Sequence, residues 1–434
     1  MGARLRIRVP GDKSLSQRAL ILSVLGRGTS RLKGLLCSGD TESTLRALRG
    51  LGVRVPNIPR DGSEVLINGV GLEGLKTPVN VLDLGNSGTG ARLLLGMLAG
   101  SNLSATIDGD ASLRMRPMAR VMEPLELMGA RFKLLGEVDR LPVTVHGCSQ
   151  LKPLEWSSPV ASGQIKSSLL LAGLTGSART VLTEPMKSRD HTERMLNAVG
   201  ADVIGRETDD GWRVEMPHPP DEIGPLDFTV PGDISSAAFV LTLVALGGGG
   251  TEVTIQSVGL NRTRTAFLDV LSRMGVHIEV HDRTPEGSIE PLGDLVVRPG
   301  GLRGTSVGAV EVPCLIDELP LVAVLGACAE GETKITGARE LRAKESDRIL
   351  AVTENLRALG VVVEELDDGL IVQGVPGRKL SGRVSAFDDH RIAMSFSVLA
   401  RATGGSVDVA DAGVSDVSFP GFDQLIQKLT EQVG

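Results

Sequence analysis

The chain has 434 residues, 41% of them hydrophobic and 23% charged, which is apolar material for two domains and too much for a disordered chain. Aromatic residues make up only 2%, with no tyrosine, which excludes an aromatic stacking platform for single-stranded nucleic acid. A net charge of −7, from 46 basic and 53 acidic residues, excludes a general binder of nucleic acid or anionic membrane, so a bound anion must be met by a local cluster of Lys and Arg.

In chain order, LRIRV predicts a strand from Leu5, with no targeting segment before it. From there one pattern recurs: an apolar helix, a glycine near its end, then a β-rich run. It appears in RALILSVLGRGTSRLKGL, RLLLGMLAGSNLSATI, SSLLLAGLTGSARTVL, AAFVLTLVALGGGGTEVTI, PLVAVLGACAEGETKI and FSVLARATGGSVDV. The marker glycines Gly26, Gly100, Gly176, Gly247, Gly331 and Gly404 fall about 70 to 85 residues apart. A second series, Gly52, Gly129, Gly200, Gly275 and Gly360, follows the first by about 24 to 29 residues, and FDQLIQKL supplies a last helix. Both series read as helix C-caps, where a positive φ is cheap only for glycine.

A constant offset between two helix stops predicts six α/β units, each with two helices and several short strands, and hence two domains of three units. A domain crossing is expected near Phe228–Gly232, where FTVPG places Pro and Gly after a strand. The longest apolar stretch, Ala237 to Leu246, is far short of the roughly 20 residues that span a bilayer. Cys37, Cys148, Cys314 and Cys328 form no CxxC pair, and reduced, mostly buried thiols in a cytoplasmic protein are expected.

The first turn of a helix favours carboxylates, because the macrodipole places positive charge there. Several predicted helix starts carry cations instead: Lys13, Ser14 and Arg18 in PGDKSLSQRAL, Arg92 in GNSGTGARLLL, and Arg114 and Arg116 before Pro117, a good N1 residue. Arg189 in SRDHTERML, Lys344 and Arg348 in AKESDRILAV, and Arg391 in DDHRIAMSF continue the series. The plain explanation for each is a solvated end capped by Asp12, Asp190, Asp347 or Asp389. Repetition through most of the units favours helix N-termini converging on a multiply charged anion, with backbone N–H groups and Lys/Arg acting together.

Other motifs carry less. NGVGLEG has dinucleotide-fingerprint spacing, but Pro78 and a strand-like run follow where a helix is required. No P-loop occurs. His277 and His281 sit in HIEVH, which alternates like a strand, so no metal site is expected. CLIDELPLVAVL places Asp317 and Glu318 between an apolar strand and an apolar helix; Glu318 reads as a helix cap, while Asp317 and Glu345 are candidates for proton transfer.

These residues, in this order, resemble the 5-enolpyruvylshikimate-3-phosphate synthase (3-phosphoshikimate 1-carboxyvinyltransferase) family from Leu5 to Leu429. PGDKSLSQRA and LGNSGTGARLL look like its amino-terminal and glycine-rich signatures, and LRAKESDRI and DDHRIAMSF like its later ones. GDASLRMRPM, SGQIKSSLLLAG, PGDISSAAF and IDELP fill the stations between. The resemblance implies an α/β fold of two similar domains, each of three βαβαββ-like units, the inside-out α/β barrel of enolpyruvyl transferases. Residues 13–230 would form the first domain, residues 1–12 and 231–434 the second, with the active site in the interdomain cleft.

The implied reaction transfers the enolpyruvyl group of phosphoenolpyruvate to the 5-hydroxyl of shikimate 3-phosphate, through a tetrahedral intermediate and with release of phosphate. It is the sixth step of the shikimate pathway to chorismate and needs no metal or organic cofactor. By the same resemblance Lys13 touches both substrates. Ser14, Arg18, Ser162, Gln164, Arg189, Asp317 and Lys344 hold shikimate 3-phosphate. Gly88, Arg92, Arg116, Gln164, Arg348 and Arg391 surround phosphoenolpyruvate. Asp317 accepts the hydroxyl proton, and Glu345 lies near the methylene carbon. A cytoplasmic monomer with no nucleic-acid or membrane partner is expected. Gly88 matches the glycine associated with glyphosate access.

Two positions depart from the pattern. Val417 stands in DVSFP where many members have a lysine, and Gly163 stands where the family often has Ser or Ala. The related UDP-N-acetylglucosamine enolpyruvyl transferase is disfavoured because GDASLRMRPM lacks that family's loop cysteine. A non-catalytic anion-binding homologue is disfavoured by the retention of Asp317 and Glu345 beside the full basic set.

Overall fold

The computed structural model describes residues 4–248, 252–410, 415 and 418–431. The chain divides into two compact units, one of Gly11–Val230 and one of Met1–Pro10 with Pro231–Gly434.

In the unit Gly11–Val230, helices Lys13–Leu25, Gly88–Ala99 and Gly163–Thr175 are buried around almost their whole circumference; in Gly88–Ala99 every residue but Thr89 is buried. A helix apolar on all sides is stable only at the centre of a layered structure. The sheets lie outside. In strand Val143–His146 the buried positions alternate with accessible ones, as in a sheet with one face on a core and one in water.

Each complete sheet has the same order. Leu82–Asp83 runs parallel to Ser104–Asp108 across helix Gly88–Ala99, and Ser104–Asp108 then pairs antiparallel with Val143–His146, the inner arm of a hairpin whose edge strand is Arg131–Leu134. Leu82, Ile107, Val143 and Leu134 are opposite one another across it. Leu154–Ser157, Thr180–Glu184, Gly211–Met216 and Ile204–Thr208 repeat that arrangement. The third sheet has three strands, and its first, Asp227–Thr229, comes from far along the chain to pair with Arg27–Lys33, which pairs with Val65–Val70.

The other unit mirrors this. Helices Ile234–Ala245, Leu319–Cys328 and His390–Ala402 form its centre. Its first sheet takes the amino-terminal strand Arg4–Ile7 beside Glu252–Gly259, followed by Leu292–Arg298 and His277–Asp282. Ser306–Val307, Glu332–Ile335, Gly369–Gln373 and Val362–Leu366 form the second sheet, and Gly382–Ser385 with Val407–Ala410 the third. The architecture is α/β with repeated βαβαββ units, as expected. Among the described residues no strand pairing joins one sheet to the next, so each unit carries three separate sheets and not one continuous barrel sheet. None of the described helices is long and apolar enough to cross a membrane.

Several local expectations need correction. The second glycine series has positive φ throughout, from 74° at Gly360 to 116° at Gly129. In the first series only Gly247, Gly331 and Gly404 do. Gly26 is extended at φ −71°, and Gly100 and Gly176 are at φ −88° and −102°. These three are required by contact instead: a Cβ on Gly26 would lie 2.6 Å from the Gly224 carbonyl oxygen, one on Gly100 2.3 Å from Thr175 Oγ1, and one on Gly176 2.5 Å from Leu151 Cγ. Pro117 is not at N1, because the helix it precedes starts at Ala119. The segment before Asp317 is the helical turn Val312–Leu315 and not a strand. No disulfide joins the four cysteines, which are half-buried where burial was expected. Burial pushes the Cys328 thiol up to about 11.

Candidate active site

In the unit Gly11–Val230 the three central helices begin without an acidic residue in their first turns. Among the peripheral helices Gly39–Gly50 and His191–Ala198 have acidic first turns while Ala119–Met128 does not, so the omission is uniform only in the central set. Caps and cations coexist: Asp12 accepts from Leu15 N at 2.8 Å and satisfies the backbone, while Lys13, the next residue, meets Asp40 at 2.9 Å. Asp190 is also at an N-cap position but makes no cap bond; its carboxylate pairs with Lys187 and Arg194.

Two guanidinium groups crowd the start of helix Gly88–Ala99. A Cβ on Gly88 would fall 2.8 Å from Arg116 Nη1 and 3.1 Å from Arg92 Nη1, so glycine is what lets both approach the helix terminus. Arg92 donates to Gln164 Oε1 and to the Pro117 carbonyl, each at 2.9 Å, and Gln164 Nε2 donates to Thr89 Oγ1 at 2.9 Å. Arg116 donates to Asn86 Oδ1. Both arginines are 7% exposed, so their charges sit where water screens weakly.

Arg18 is buried one and a half turns along the first helix. Its guanidinium donates to Thr192 Oγ1 at 2.8 Å, to Ser167 Oγ at 2.9 Å and to the Ser14 carbonyl at 3.0 Å. Ser162 is the N-cap of helix Gly163–Thr175, its Oγ accepting from Ile165 N at 3.4 Å. Gly163 presses on the next station: a Cβ there would stand 3.1 Å from Arg189 Cβ and 3.4 Å from the Arg189 carbonyl oxygen. Lys13, Ser14, Arg18, Gly88, Arg92, Arg116, Ser162, Gln164 and Arg189 thus all belong to this unit. Arg114 does not join the arginines at Gly88, being exposed and paired with Asp108.

The other unit carries a different cluster. Arg348 opens helix Arg348–Ala358 and is 1% exposed. Its Nε is 2.7 Å from Asp389 Oδ2, its Nη2 2.6 Å from Glu345 Oε2, and its Nη1 3.5 Å from Asp317 Oδ1. Burial disfavours ionised Asp389, but Arg348 outweighs it and holds the carboxyl below the usual range. The same carboxylate caps helix His390–Ala402 through Arg391 N at 2.9 Å and accepts from Ser346 Oγ at 3.2 Å. Arg391 reaches the Asp317 carbonyl at 3.3 Å and its carboxylate at 3.8 Å. Asp317, Glu345, Arg348 and Arg391 are therefore brought together. Lys344 follows the 3-10 turn Arg339–Ala343 and is four residues ahead of the helix whose first turn it was expected to occupy. Glu318 is at the N-cap position of Leu319–Cys328 but makes no cap bond; it accepts from Ser235 Oγ. Val417 lies outside the described residues.

Sequence reasoning missed Asp40, Asn86, Thr89, Ser167 and Thr192, each of which holds a candidate residue. Asp40 and Thr192 look locally like ordinary first-turn residues, and only tertiary contact gives them a role. The buried Lys166 could have been found: it is a lone charge inside the apolar run QIKSSLLLAG.

A family model described as EPSP synthase (3-phosphoshikimate 1-carboxyvinyltransferase) matches residues 3–426. The 3-phosphoshikimate 1-carboxyvinyltransferase of Desulforamulus reducens is 45% identical over 426 residues, covering 98% of this chain and 96% of that one. The enzyme of that name from Salinibacter ruber is 45% identical over 420 residues, covering 96% and 95%. Among solved structures, EPSP synthase from Acinetobacter baumannii superposes with a TM-score of 0.84 at 39% identity, covering 99% of this chain and 96% of that chain. The enolpyruvyl transferase NikO from Streptomyces tendae, at 18% identity and a TM-score of 0.75 over 98% of this chain and 94% of that chain, shares the fold.

Proposed function

The chain belongs to the EPSP synthase (3-phosphoshikimate 1-carboxyvinyltransferase) family and is a transferase of the shikimate pathway; from that premise we propose how its residues carry out the reaction. The enolpyruvyl group of phosphoenolpyruvate passes to the 5-hydroxyl of shikimate 3-phosphate, and phosphate is released. Each substrate brings a phosphate and a carboxylate, so their approach is opposed until cations neutralise them. The observation that carries the reading is the set of central helix starts without acidic first turns, attended by Lys13, Arg92 and Arg116 in one unit and by Arg348 and Arg391 in the other.

The residue roles are proposals of the same kind. Ser14, Arg18, Ser162, Gln164, Arg189 and Lys344 hold shikimate 3-phosphate; Gly88, Arg92, Arg116, Gln164, Arg348 and Arg391 hold phosphoenolpyruvate; Lys13 serves both. Asp317 takes the 5-hydroxyl proton. Protonation of the methylene carbon near Glu345 makes C2 electrophilic, the hydroxyl adds, and loss of a proton and phosphate from the tetrahedral intermediate restores the double bond. Each cluster holds only part of these groups, so the proposal has both units serve one active site in a cleft that closes on the substrates and excludes water. No metal or organic cofactor enters the proposal, and we place the protein in the cytoplasm as a monomer. Glyphosate is proposed as a ligand of the phosphoenolpyruvate site beside Gly88.

Phosphate release is expected only when both substrates are present. Release from phosphoenolpyruvate alone at the same rate would overturn the reading. A second expectation concerns Gly163. An alanine Cβ 3.1 Å from Arg189 Cβ requires that residue to yield by a few tenths of an ångström. Gly163→Ala is expected to raise the KM for shikimate 3-phosphate by about threefold to tenfold and leave that for phosphoenolpyruvate unchanged, as steady-state kinetics will show.

A further inference from the structure

Lys166 is in the first turn and a half of helix Gly163–Thr175, and its side chain is 0% exposed. Its Nζ lies 2.8 Å from Glu184 Oε1 and 2.8 Å from Glu193 Oε1, and it donates to the Ser188 carbonyl at 3.3 Å. Burial disfavours the ammonium, yet Glu193 and Glu184 outweigh it and hold Lys166 above its ordinary value. Glu193 also moves up, because burial outweighs the attraction of Lys166. The two directions are compatible: two carboxylates around one ammonium leave surplus negative charge, and Glu193 has fewer donors than Glu184.

Burying an ion cluster is an inefficient way to stabilise a core, since well-packed apolar side chains of the same volume often do as well or better. The connections suggest another reason. Glu184 ends strand Thr180–Glu184 and accepts from Ser188 N at 2.9 Å, from Ser188 Oγ at 2.7 Å and from Ser162 N at 3.3 Å. Ser188 immediately precedes Arg189, and Ser162 precedes Gly163, which the Arg189 backbone abuts. Glu193 follows Thr192, whose hydroxyl accepts from Arg18 and is 2.6 Å from Ser167 Oγ. The ion cluster therefore joins the segments bearing Ser162, Arg189 and Arg18.

We propose that Lys166, acting through Glu184 and Glu193, is a positioning residue for the 3-phosphoshikimate end of the site, fixing Ser162, Arg189 and Arg18 relative to one another. It does not touch substrate. The proposal rests on the assignment of those three residues to shikimate 3-phosphate, and the experiment separates the two ideas.

Lys166→Met, Glu184→Gln and Arg189→Ala are compared with the parent in steady-state kinetics and thermal melting. Arg189→Ala tests the assignment itself. If it leaves the KM for shikimate 3-phosphate unchanged, that assignment fails. Where it raises that KM, Lys166→Met is expected to do so too, by about tenfold, while the KM for phosphoenolpyruvate changes less than about twofold. Glu184→Gln keeps the size of the side chain and leaves Lys166 its contact with Glu193, so it decides the matter should the Met variant not fold. It is expected to raise the same KM by several-fold. If the folded variants only melt earlier, with both KM values unchanged, Lys166 is structural and the positioning role is wrong.

Discussion

Arg348→Met is expected to destabilise the unit Met1–Pro10 with Pro231–Gly434 by about 3–5 kcal/mol and to invert how its stability depends on pH. The side chain is 1% exposed and bonded to Asp389 and Glu345, with Asp317 at 3.5 Å. Removing it leaves three carboxylates together without their central cation. At roughly 2–4 °C per kcal/mol for units of this size, the melting temperature at neutral pH should fall by about 10 °C.

The sign of the pH effect follows from Asp389. In the parent its carboxyl is held below the usual range, so its contribution to stability is present above the unfolded value of about 3.9 and is lost as pH falls through the lower folded value. In the Met variant burial and the repulsion of Glu345 are expected to outweigh His390 and the hydrogen bonds from Arg391 N and Ser346 Oγ, so that the folded value rises above the unfolded one. Ionised Asp389 then opposes folding at neutral pH, and acidification from pH 7 toward about pH 5 restores stability. Melting curves at both pH values check this, with hydrogen exchange to confine the loss to residues 231–434. A variant melting within about 1 °C of the parent at pH 7 would sink the argument. Arg348→Lys should recover part of the stability, since it restores the charge but not the planar fork that reaches two carboxylates at once.

The frame of this protein was legible because its signals are local. A helix apolar on every side can only be central, and a cation in a first turn is an anomaly visible within five residues. The second glycine series was read correctly because each ends its own helix with a positive φ. Gly26, Gly100 and Gly176 were read for the wrong reason. What requires glycine at Gly26 and Gly100 is the close approach of Gly224 and Thr175, many residues away, and no local pattern reports that.

The same distance in sequence hid half of the site. Arg18 and Thr192 are 174 residues apart, and Arg348 and Asp389 are 41 apart. Asp389 was visible as a cap, which it is, and its ion pair with Arg348 was not. The placement of the amino-terminal strand came only from the family resemblance: Arg4–Ile7 pairs with Glu252–Gly259, an association that neither segment's composition specifies.

Arg92→Ala is expected to lower kcat/KM by more than a hundredfold, a loss of about 3 kcal/mol or more, while the protein stays folded. The stability side is modest because Arg92 makes neutral contacts with Gln164, Pro117 and Gly88, which are replaceable by rearrangement of the Gln164 amide. The catalytic side is large for two reasons. A guanidinium 7% exposed acts on a phosphate or carboxylate with little screening, and its fork fixes Gln164, which is proposed to touch both substrates. Loss of charge weakens the hold on phosphoenolpyruvate; loss of the fork misplaces the reacting carbon. Arg92→Lys separates these: it keeps the charge but cannot bond Gln164 and the Pro117 carbonyl together, so it should recover KM for phosphoenolpyruvate more than kcat. Steady-state kinetics on the three proteins give the split. Near-parental kcat/KM in folded Arg92→Ala would remove Arg92 from the reaction, and with it the claim that the acid-free start of helix Gly88–Ala99 exists to receive an anion.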